Sequence, residues 1–166
     1  MAATEDAVVN LVLVGATIHC SDNSPILILT AASVTIVLQQ GTANHLADGT
    51  PYTNLNADGE PDAALFSKTD LVIRGGGSLV VDAVYNDGIK SKDGLTIEGG
   101  TITVNSVDDG ITGKDFVVVE DGDITIAAVG DGLESTNNAD TAKGFITVET
   151  GTIHITSGAD QALSFA

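Results

Sequence analysis

The sequence contains one cysteine, no tryptophan and only six lysine and arginine residues. A single cysteine, Cys20, excludes a disulfide within the chain and also excludes a cysteine-based zinc site. Aromatic residues make up 4% of the chain and hydrophobic residues 43%, so the core must consist of Val, Ile, Leu and Ala. No apolar run reaches the roughly 18 residues that a membrane helix needs, and we therefore expect no membrane insertion.

Positive charge is scarce, because 23 acidic residues stand against six basic ones and give a net charge of -17. Such a surface repels the phosphates of nucleic acids, which excludes nucleic acid as an expected partner. It would also repel an acidic polysaccharide unless cations screen or bridge the charge.

An internal repeat dominates the chain from residue 64 onward. Three segments align with one another, 64–87, 88–109 and 110–131, and the last two are each 22 residues long. A fourth segment, 132–161, carries about eight extra residues, which we assign to a loop insertion at 136–144. Equivalent residues that return at a constant spacing indicate a solenoid.

Apolar residues alternate with other residues within each repeat, as in strands that bury one face. One column contains Leu79, Ile102, Ile124 and Ile153, a second begins at Leu71, Leu95, Val117 and Ile146, and a third contains Leu65, Ile89, Ile111, Leu133 and Leu163. A sandwich would alternate in the same way but would not return equivalent residues at constant spacing. The pattern predicts an all-β fold, a single right-handed parallel β-helix over 1–166 with about six coils of about 22 residues.

The first 63 residues follow the repeat less strictly. Residues 11–20 align with 95–104, which would place Cys20 in the core, and 41–63 leaves the repeat as an expected loop excursion rich in turn residues. The sequence begins and ends inside a repeat unit, which predicts a domain that is incomplete at both ends. Leu163 would then lie on an uncovered face, and end-to-end self-association is one expected consequence.

The sequence also resembles a known family. The resemblance covers residues 8–166 and is strongest in VTIVLQQGTANHLADGTPYTNLNADGEPDAALFSKTDLVIRGGGSL and YNDGIKSKDGLTIEGGTITVNSVDDGITGKD. These segments resemble the carbohydrate-binding domains of bacterial surface proteins, typified by clostridial cellulolytic bacteria. The resemblance implies a β-helix like that of pectate lyases, bound calcium, and binding of plant cell-wall polysaccharide, especially acidic pectic chains. Domains of that family extend for more coils on both sides, and this chain departs from them there.

Acidic and amide side chains recur at one corner of the repeat, and they are the first candidate metal ligands: Asn86, Asp87, Asp108, Asp109 and Asp131, with Asp160 near the next corner. Stacked coils place equivalent residues about 4.8 Å apart, where carboxylates repel one another unless they are protonated or bridged. Calcium binds six to eight oxygen atoms of this kind, so the column is a candidate calcium stack. The alternative is that Asp and Asn only shape the turns.

A second candidate calcium site lies in the expected loop, where Asn54, Asn56 and Asp58 precede a glycine. The spacing resembles the start of an EF-hand loop, but position twelve is Leu65 instead of a carboxylate. The alternative is a solvated acidic loop.

Three lysines in register, Lys68, Lys92 and Lys114, form a basic column that could meet sugar carboxylates. The alternative is a salt-bridge ladder with the neighbouring aspartates. Tyr85 could stack on a sugar ring, although two isolated tyrosines are weak evidence. We therefore assign Lys68, Lys92, Lys114 and Tyr85 as candidate carbohydrate-binding residues.

Together these features predict a non-catalytic, calcium-dependent module that binds acidic or cellulosic polysaccharide outside the cell or at its surface. The acidic column comes from the residues, and the sugar comes from the resemblance. One rival is a polysaccharide lyase that uses Arg74 or Lys92 as its base, although no acid–base constellation accompanies them. Another is a structural solenoid subunit that assembles into filaments.

Overall fold

The structure, a computed structural model, describes residues 3–158 and 161–165. Asp160 therefore lies outside the described residues. Within them, eighteen strands form three parallel six-stranded sheets, and each sheet takes every third strand along the chain. This is the predicted parallel β-helix of six coils.

Each coil contributes one strand to each sheet. The first sheet contains β1 (Val8–Leu13), β4 (Ser33–Leu38), β7 (Leu71–Gly75), β10 (Gly94–Ile97), β13 (Phe116–Val119) and β16 (Phe145–Val148). The second contains β2 (Thr17–His19), β5 (Ala43–Ala47), β8 (Ser78–Ala83), β11 (Thr101–Ser106), β14 (Asp123–Ala128) and β17 (Thr152–Ser157). The third contains β3 (Ile26–Ile28), β6 (Ala63–Ser67), β9 (Asp87–Ser91), β12 (Ile111–Gly113), β15 (Leu133–Ser135) and β18 (Leu163–Phe165).

The core is a stack of aliphatic side chains that point inward from all three sheets. Its columns follow the predicted register, since Ile102 pairs with Leu79 and Ile124, and Ile111 pairs with Ile89 and Leu133. All six of these side chains are fully buried. β-Branched and leucine side chains suit this arrangement because each strand buries one face against its neighbours.

Asp-Gly pairs mark the entry to the third sheet in coils 3, 4 and 5. A Cβ atom on Gly110 would lie 2.4 Å from the Ile126 side chain and 2.6 Å from the Gly132 carbonyl oxygen. Gly110 therefore has a steric reason to be glycine. The aspartate that precedes it occupies a fixed place at the corner.

The first coil lies two residues away from the register expected for 11–20. Leu11 pairs with Ile36, which continues to Ile73 and so to Ile97, not Leu95. A shift of two residues preserves the inward and outward faces, because side chains alternate with a period of two. Cys20 is consequently not a buried core thiol but half-buried, with Sγ 3.8 Å from Asp22 Oδ1.

The loop expected at 41–63 is shorter than the sequence pattern suggests. Strand β5 occupies Ala43–Ala47 and Ala63 already belongs to β6, which leaves 48–62 as the loop. Asn44 breaks the apolar pattern at an inward position, where it accepts a hydrogen bond from Ala16 N and donates one to Ser78 O. Residues 136–144 lie between β15 and β16.

Across the described residues, no helix is long and apolar enough to cross a membrane.

Candidate functional site

Three aspartates meet where the second sheet turns into the third. One carboxylate oxygen from each of Asp87, Asp108 and Asp109 lies within 4.8 Å of the others. Asp87 is 1% exposed, Asp109 is half-buried and Asp108 is exposed, so the group opens from the interior toward solvent. We call the turn formed by Asn86-Asp87, Asp108-Asp109 and Gly130-Asp131 the acidic corner.

Side chains at the acidic corner link successive coils. Asp109 N donates to Asp87 Oδ1 at 3.3 Å, and Asp131 N donates to Asp109 Oδ1 at 2.8 Å. Gln161 N donates to Asp131 Oδ1 at 2.6 Å. The aspartates thus shape the turns, as the alternative interpretation expected, and each still has a second carboxylate oxygen.

Negative charge at the acidic corner exceeds the local positive charge. Lys90 Nζ lies 2.7 Å from both Asp87 Oδ2 and Asp62 Oδ2. Burial nevertheless raises the pKa of Asp87 to about 7, and the charges of Asp109 and Asp62 add to the effect while Lys90 opposes it. Asp62 Oδ1 is buried without a hydrogen-bond partner.

Glu134 extends this excess by one coil. It pairs in register with Thr112, which pairs with Lys90, so all three occupy one outward column of the third sheet. The pKa of Glu134 is raised to about 7, chiefly by burial, then by the charge of Asp109 and a hydrogen bond with it, and last by the charges of Asp131 and Asp87. The raised pKa of Glu134 shows that a second negative charge beside Asp109 is disfavoured when no cation is present.

The space beside these carboxylates suits a hard cation. A Cβ atom on Gly130 would lie 2.5 Å from Asp109 Oδ1 and 2.8 Å from Asp108 Oδ1. Glycine in that column, where coils 3 and 4 carry Asn86 and Asp108, keeps the room between the carboxylates open. Oxygen donors of this kind fit calcium, and Asp87, Asp108 and Asp109 would hold it. Asn86 adjoins the group, while Asp131 lies one coil further on.

In the expected loop site of Asn54, Asn56 and Asp58, the carboxylate of Asp58 does not belong to the acidic corner group found among the described residues. Asn56 Oδ1 accepts hydrogen bonds from Asp58 N at 2.8 Å and Glu60 N at 2.9 Å, which closes a local turn. Asn54 Nδ2 lies 3.4 Å from Thr53 Oγ1. A calcium site in this loop stays a prediction, and the structure supplies a turn that already uses the Asn56 oxygen.

Two members of the basic column are paired with a carboxylate of the protein. Lys68 Nζ and Lys92 Nζ lie 3.1 Å and 2.5 Å from the two oxygens of Glu60, which is 7% exposed. Burial alone would raise the pKa of Glu60, but hydrogen bonds from Lys92, Lys68 and Asn56 outweigh it and lower the pKa to about 2. This geometry favours the salt-bridge alternative for two of the three lysines.

Lys114, the third member, is exposed beside Asp115. Asp115 instead pairs with Lys143 of the 136–144 insertion at 2.6 Å and accepts a hydrogen bond from Asn137 Nδ2 at 2.7 Å. We call the turn from the third sheet to the first, which carries Lys68, Lys92 and Lys114, the lysine corner.

Tyr85 stacks on another aromatic ring of the protein. The Tyr52 and Tyr85 ring centroids lie 4.0 Å apart with an interplanar angle of 11°. Tyr52 is 6% exposed, and its hydroxyl donates to Asp48 Oδ2 at 2.7 Å. One face of Tyr85 is therefore occupied by loop 48–62, which limits its use as a sugar platform.

Comparison with known proteins gives this geometry a family. A family model described as "Carbohydrate-binding domain-containing protein" matches residues 1–164. The chain belongs to this family. A relative from Acetivibrio thermocellus with the same description is 39% identical over 97 residues, which is 58% of this chain and 34% of the relative.

A solved structure shares the fold. It is described as the "polysaccharide lyase-like protein from C. thermocellum, Gadolinium derivative", with a TM-score of 0.90 and 35% sequence identity. The alignment covers 93% of this chain and 62% of that one. The chain thus spans about a third of the relative and under two thirds of the solved structure.

Sequence reasoning missed several charged residues of the site. Lys90 and Glu134 lie in one outward column, and the alignment that placed Ile89, Ile111 and Leu133 contained the signal that could have found them. Asp62 and Glu60 gave no such signal, because they lie in a loop whose path across the third sheet has no counterpart in the repeat.

Proposed function

We propose that this carbohydrate-binding domain binds an acidic, pectic polysaccharide of the plant cell wall through calcium held at the acidic corner. The observation that supports it is the meeting of Asp87, Asp108 and Asp109 within 4.8 Å, next to Gly130, where a side chain would crowd the oxygens of Asp108 and Asp109. A chain with a net charge of -17 requires a cation between itself and a polyanion.

Calcium would neutralise the acidic corner and leave coordination positions for sugar carboxylates. Calcium takes six to eight oxygen ligands, and three carboxylates supply fewer than six unless every one of them binds through both oxygens. The remaining positions are open to solvent on the Asp108 side, where a uronate carboxylate could enter.

The similar solved protein is a gadolinium derivative by its description. Gadolinium is a hard trivalent cation that prefers oxygen ligands, so a luminescent lanthanide is a suitable probe for the acidic corner here.

Binding without catalysis is part of this proposal, as is a place outside the cell or at its surface. Arg74 is exposed on the first sheet, while the acidic corner joins the second and third sheets. Lys92 is paired with Glu60. Release of unsaturated product from polygalacturonate by the wild-type domain, lost in Arg74→Ala, would contradict the proposal and establish a lyase.

The proposal is tested with the Asp109→Asn variant. Asn keeps an oxygen that accepts the Asp131 N–H group, so the turn survives while a charged ligand is lost. We expect calcium at about 100 times its Kd to raise the unfolding free energy of wild type by about 2.7 kcal/mol, measured after EDTA treatment. Asp109→Asn should lose this response and also lose calcium-dependent binding to polygalacturonate.

Asp115→Asn, at the lysine corner, is the matched control and should keep both responses. If calcium leaves the wild-type melting curve unchanged, the aspartates serve only as turn residues.

A second candidate role is end-to-end self-association into a filament. A cavity of about 400 Å³ at the last coil is lined by Val148, Ile153, Ile155, Ala162 and Leu163. Leu163 pairs with Leu133 on one side and is 48% exposed. Sedimentation velocity should show larger species as protein and calcium concentrations rise, and Leu163→Lys should abolish them. A wild-type monomer at every concentration would contradict this role.

A further inference from the structure

A groove of about 420 Å³ lies on the opposite side of the acidic corner from Glu134. It is lined by residues of coils 3, 4 and 5: Asp82, Ala83, Val84, Asn105, Ser106, Val107 and Ala127. All come from β8, β11 and β14 or from the turns that follow β8 and β11. Its volume is within the range of small-molecule sites, and the strand framework holds its shape.

Polar groups at the rim are held in fixed positions. Asp82 Oδ1 accepts a hydrogen bond from Asn105 Nδ2 at 2.7 Å, and Asp82 Oδ2 lies 2.8 Å from His45 Nε2. Contacts on both oxygens orient the carboxylate, while the Asp82 and His45 side chains remain 41% and 40% exposed. Asn105 donates through its nitrogen, which leaves its carbonyl oxygen as a second acceptor beside the carboxylate. Two adjacent acceptors match the two hydroxyl donors of a vicinal diol.

An apolar ridge forms the other side of the groove. Val84, Val107 and Val129 follow the last residues of β8, β11 and β14 and are 50%, 46% and 56% exposed. The ridge separates the Asp82–Asn105 pair from the acidic corner. A pyranose ring has hydroxyls at its edge and an apolar C–H face, which suits the polar rim and the ridge respectively.

Charge determines which sugar fits. Asp82 lies in the groove and Asp108 directly follows Val107, so a uronate carboxylate would meet negative charge without an intervening cation. A neutral pyranose carries no such penalty, and its hydroxyl groups can donate to the Asn105 carbonyl oxygen and to the remaining lone pairs of the Asp82 carboxylate.

We propose that this groove is a calcium-independent subsite for neutral pyranose units, so that one domain contacts neutral and acidic parts of the cell wall at neighbouring positions. The inference rests on the proposed carbohydrate binding but not on its calcium.

The experiment measures binding of cellopentaose and xylopentaose to the whole domain in EDTA by isothermal titration calorimetry. We expect saturable binding of at least one, weakened by at least about tenfold in Asp82→Asn and in Val107→Ser. Val107 is half exposed, so Val107→Ser should leave the core intact. It therefore tests the groove even if Asp82→Asn alters the fold, and thermal melts of both variants check their folding. Val129→Ser, on the same ridge outside the groove, and Glu98→Gln, which removes a distant exposed charge, should bind within about twofold of wild type.

Asp109→Asn distinguishes this subsite from the calcium site, because it should bind the neutral sugars normally while losing polygalacturonate. Loss of neutral-sugar binding in Asp109→Asn, unchanged binding in Val107→Ser, or no saturable binding of either sugar would overturn the subsite. None of these results depends on whether wild type binds polygalacturonate with calcium, so the two proposals fail separately.

Discussion

The acidic corner and the lysine corner flank the same sheet and both carry aspartates in register, yet they differ in how their charge is compensated. Four of the five lysines, Lys68, Lys92, Lys114 and Lys143, lie at or beside the lysine corner, and only Lys90 lies at the acidic corner. At the lysine corner, lysines pair with Glu60 and Asp115. At the acidic corner, Asp87 and Glu134 have raised pKa values. The repeat thus supplies acid on both sides of the sheet, and the placement of lysines decides which corner is neutralised by the protein and which can accept an added cation.

Compensation at the lysine corner is incomplete at one point. Burial raises the pKa of Asp93, and Asp70 and Asp115 add to the effect although Lys114 and Lys143 oppose it. Lys92, its sequence neighbour, is paired with Glu60. Glu60 of loop 48–62 therefore pairs with Lys92, which would otherwise be available to Asp93 and its neighbouring aspartates.

Replacing Glu60 with Gln should remove the ion pairs with Lys68 and Lys92 at the lysine corner. This change should affect stability more than the replacement of Glu134 at the acidic corner. The lowered pKa of Glu60 indicates a loss of about 2–3 kcal/mol, discounted because Lys68 and Lys92 are partly exposed. A lowered pKa stabilises the fold above the ordinary value of 4.5, and the contribution disappears as pH falls toward 2. The difference between wild type and variant in urea unfolding should therefore be largest at neutral pH.

Two neighbours test the origin of that loss. Asp58→Asn, in the same loop but exposed, and Lys114→Gln, in the same column, should each change stability by less than about 0.5 kcal/mol. An equal loss in Lys114→Gln would show that the whole basic column acts as one network and not through Glu60.

Replacing Glu134 with Gln tests the acidic corner, and it should stabilise the calcium-free domain. A carboxyl whose pKa is raised to about 7 stabilises the fold below its unfolded value of 4.5, and this contribution is lost as pH rises to 7. At pH 8 in EDTA, Glu134→Gln should gain about 1–2 kcal/mol, a value reduced for partial exposure, and at pH 4 it should match wild type.

Glu98→Gln removes the same charge from an exposed turn and serves as the control. A gain in Glu98→Gln equal to that in Glu134→Gln would assign the effect to the net charge of the whole chain. Saturating calcium should reduce the gain of Glu134→Gln, because the cation relieves the same repulsion.

The fold could be predicted because the core residues carry the repeat themselves. Ile89, Ile111 and Leu133 return at intervals of 22 residues, and alternation assigned their faces correctly. The first coil was shifted by two residues because a period of two cannot distinguish Leu95 from Ile97 as the partner of Leu11. Strand β5 was missed because an inward asparagine, Asn44, replaces an aliphatic residue and satisfies its polar groups through the backbone of both neighbouring coils.

The candidate site could be predicted only in part, because the sequence spacing places residues in columns but does not pair charges across columns. Register brought Asp87 and Asp109 together as expected. It gave no indication that Glu60 would bridge Lys68 and Lys92, because that contact depends on how loop 48–62 crosses the third sheet. Predictions for columns were therefore more reliable than predictions for loops.

Loop 48–62 has a mechanical consequence for how the β-helix resists a pulling force. Neighbouring coils are joined by backbone hydrogen bonds that run along the helix axis, so axial tension loads the coils in series and should peel them one at a time. Loop 48–62 should interrupt this stepwise unfolding, because it links two neighbouring coils. Its Glu60 forms ion pairs with Lys68 of coil 2 and Lys92 of coil 3, and its Tyr52 stacks on Tyr85. Force spectroscopy should show extension in steps of one coil. The force should be higher at the boundary between coils 2 and 3, where the contacts of the loop oppose separation of the two coils.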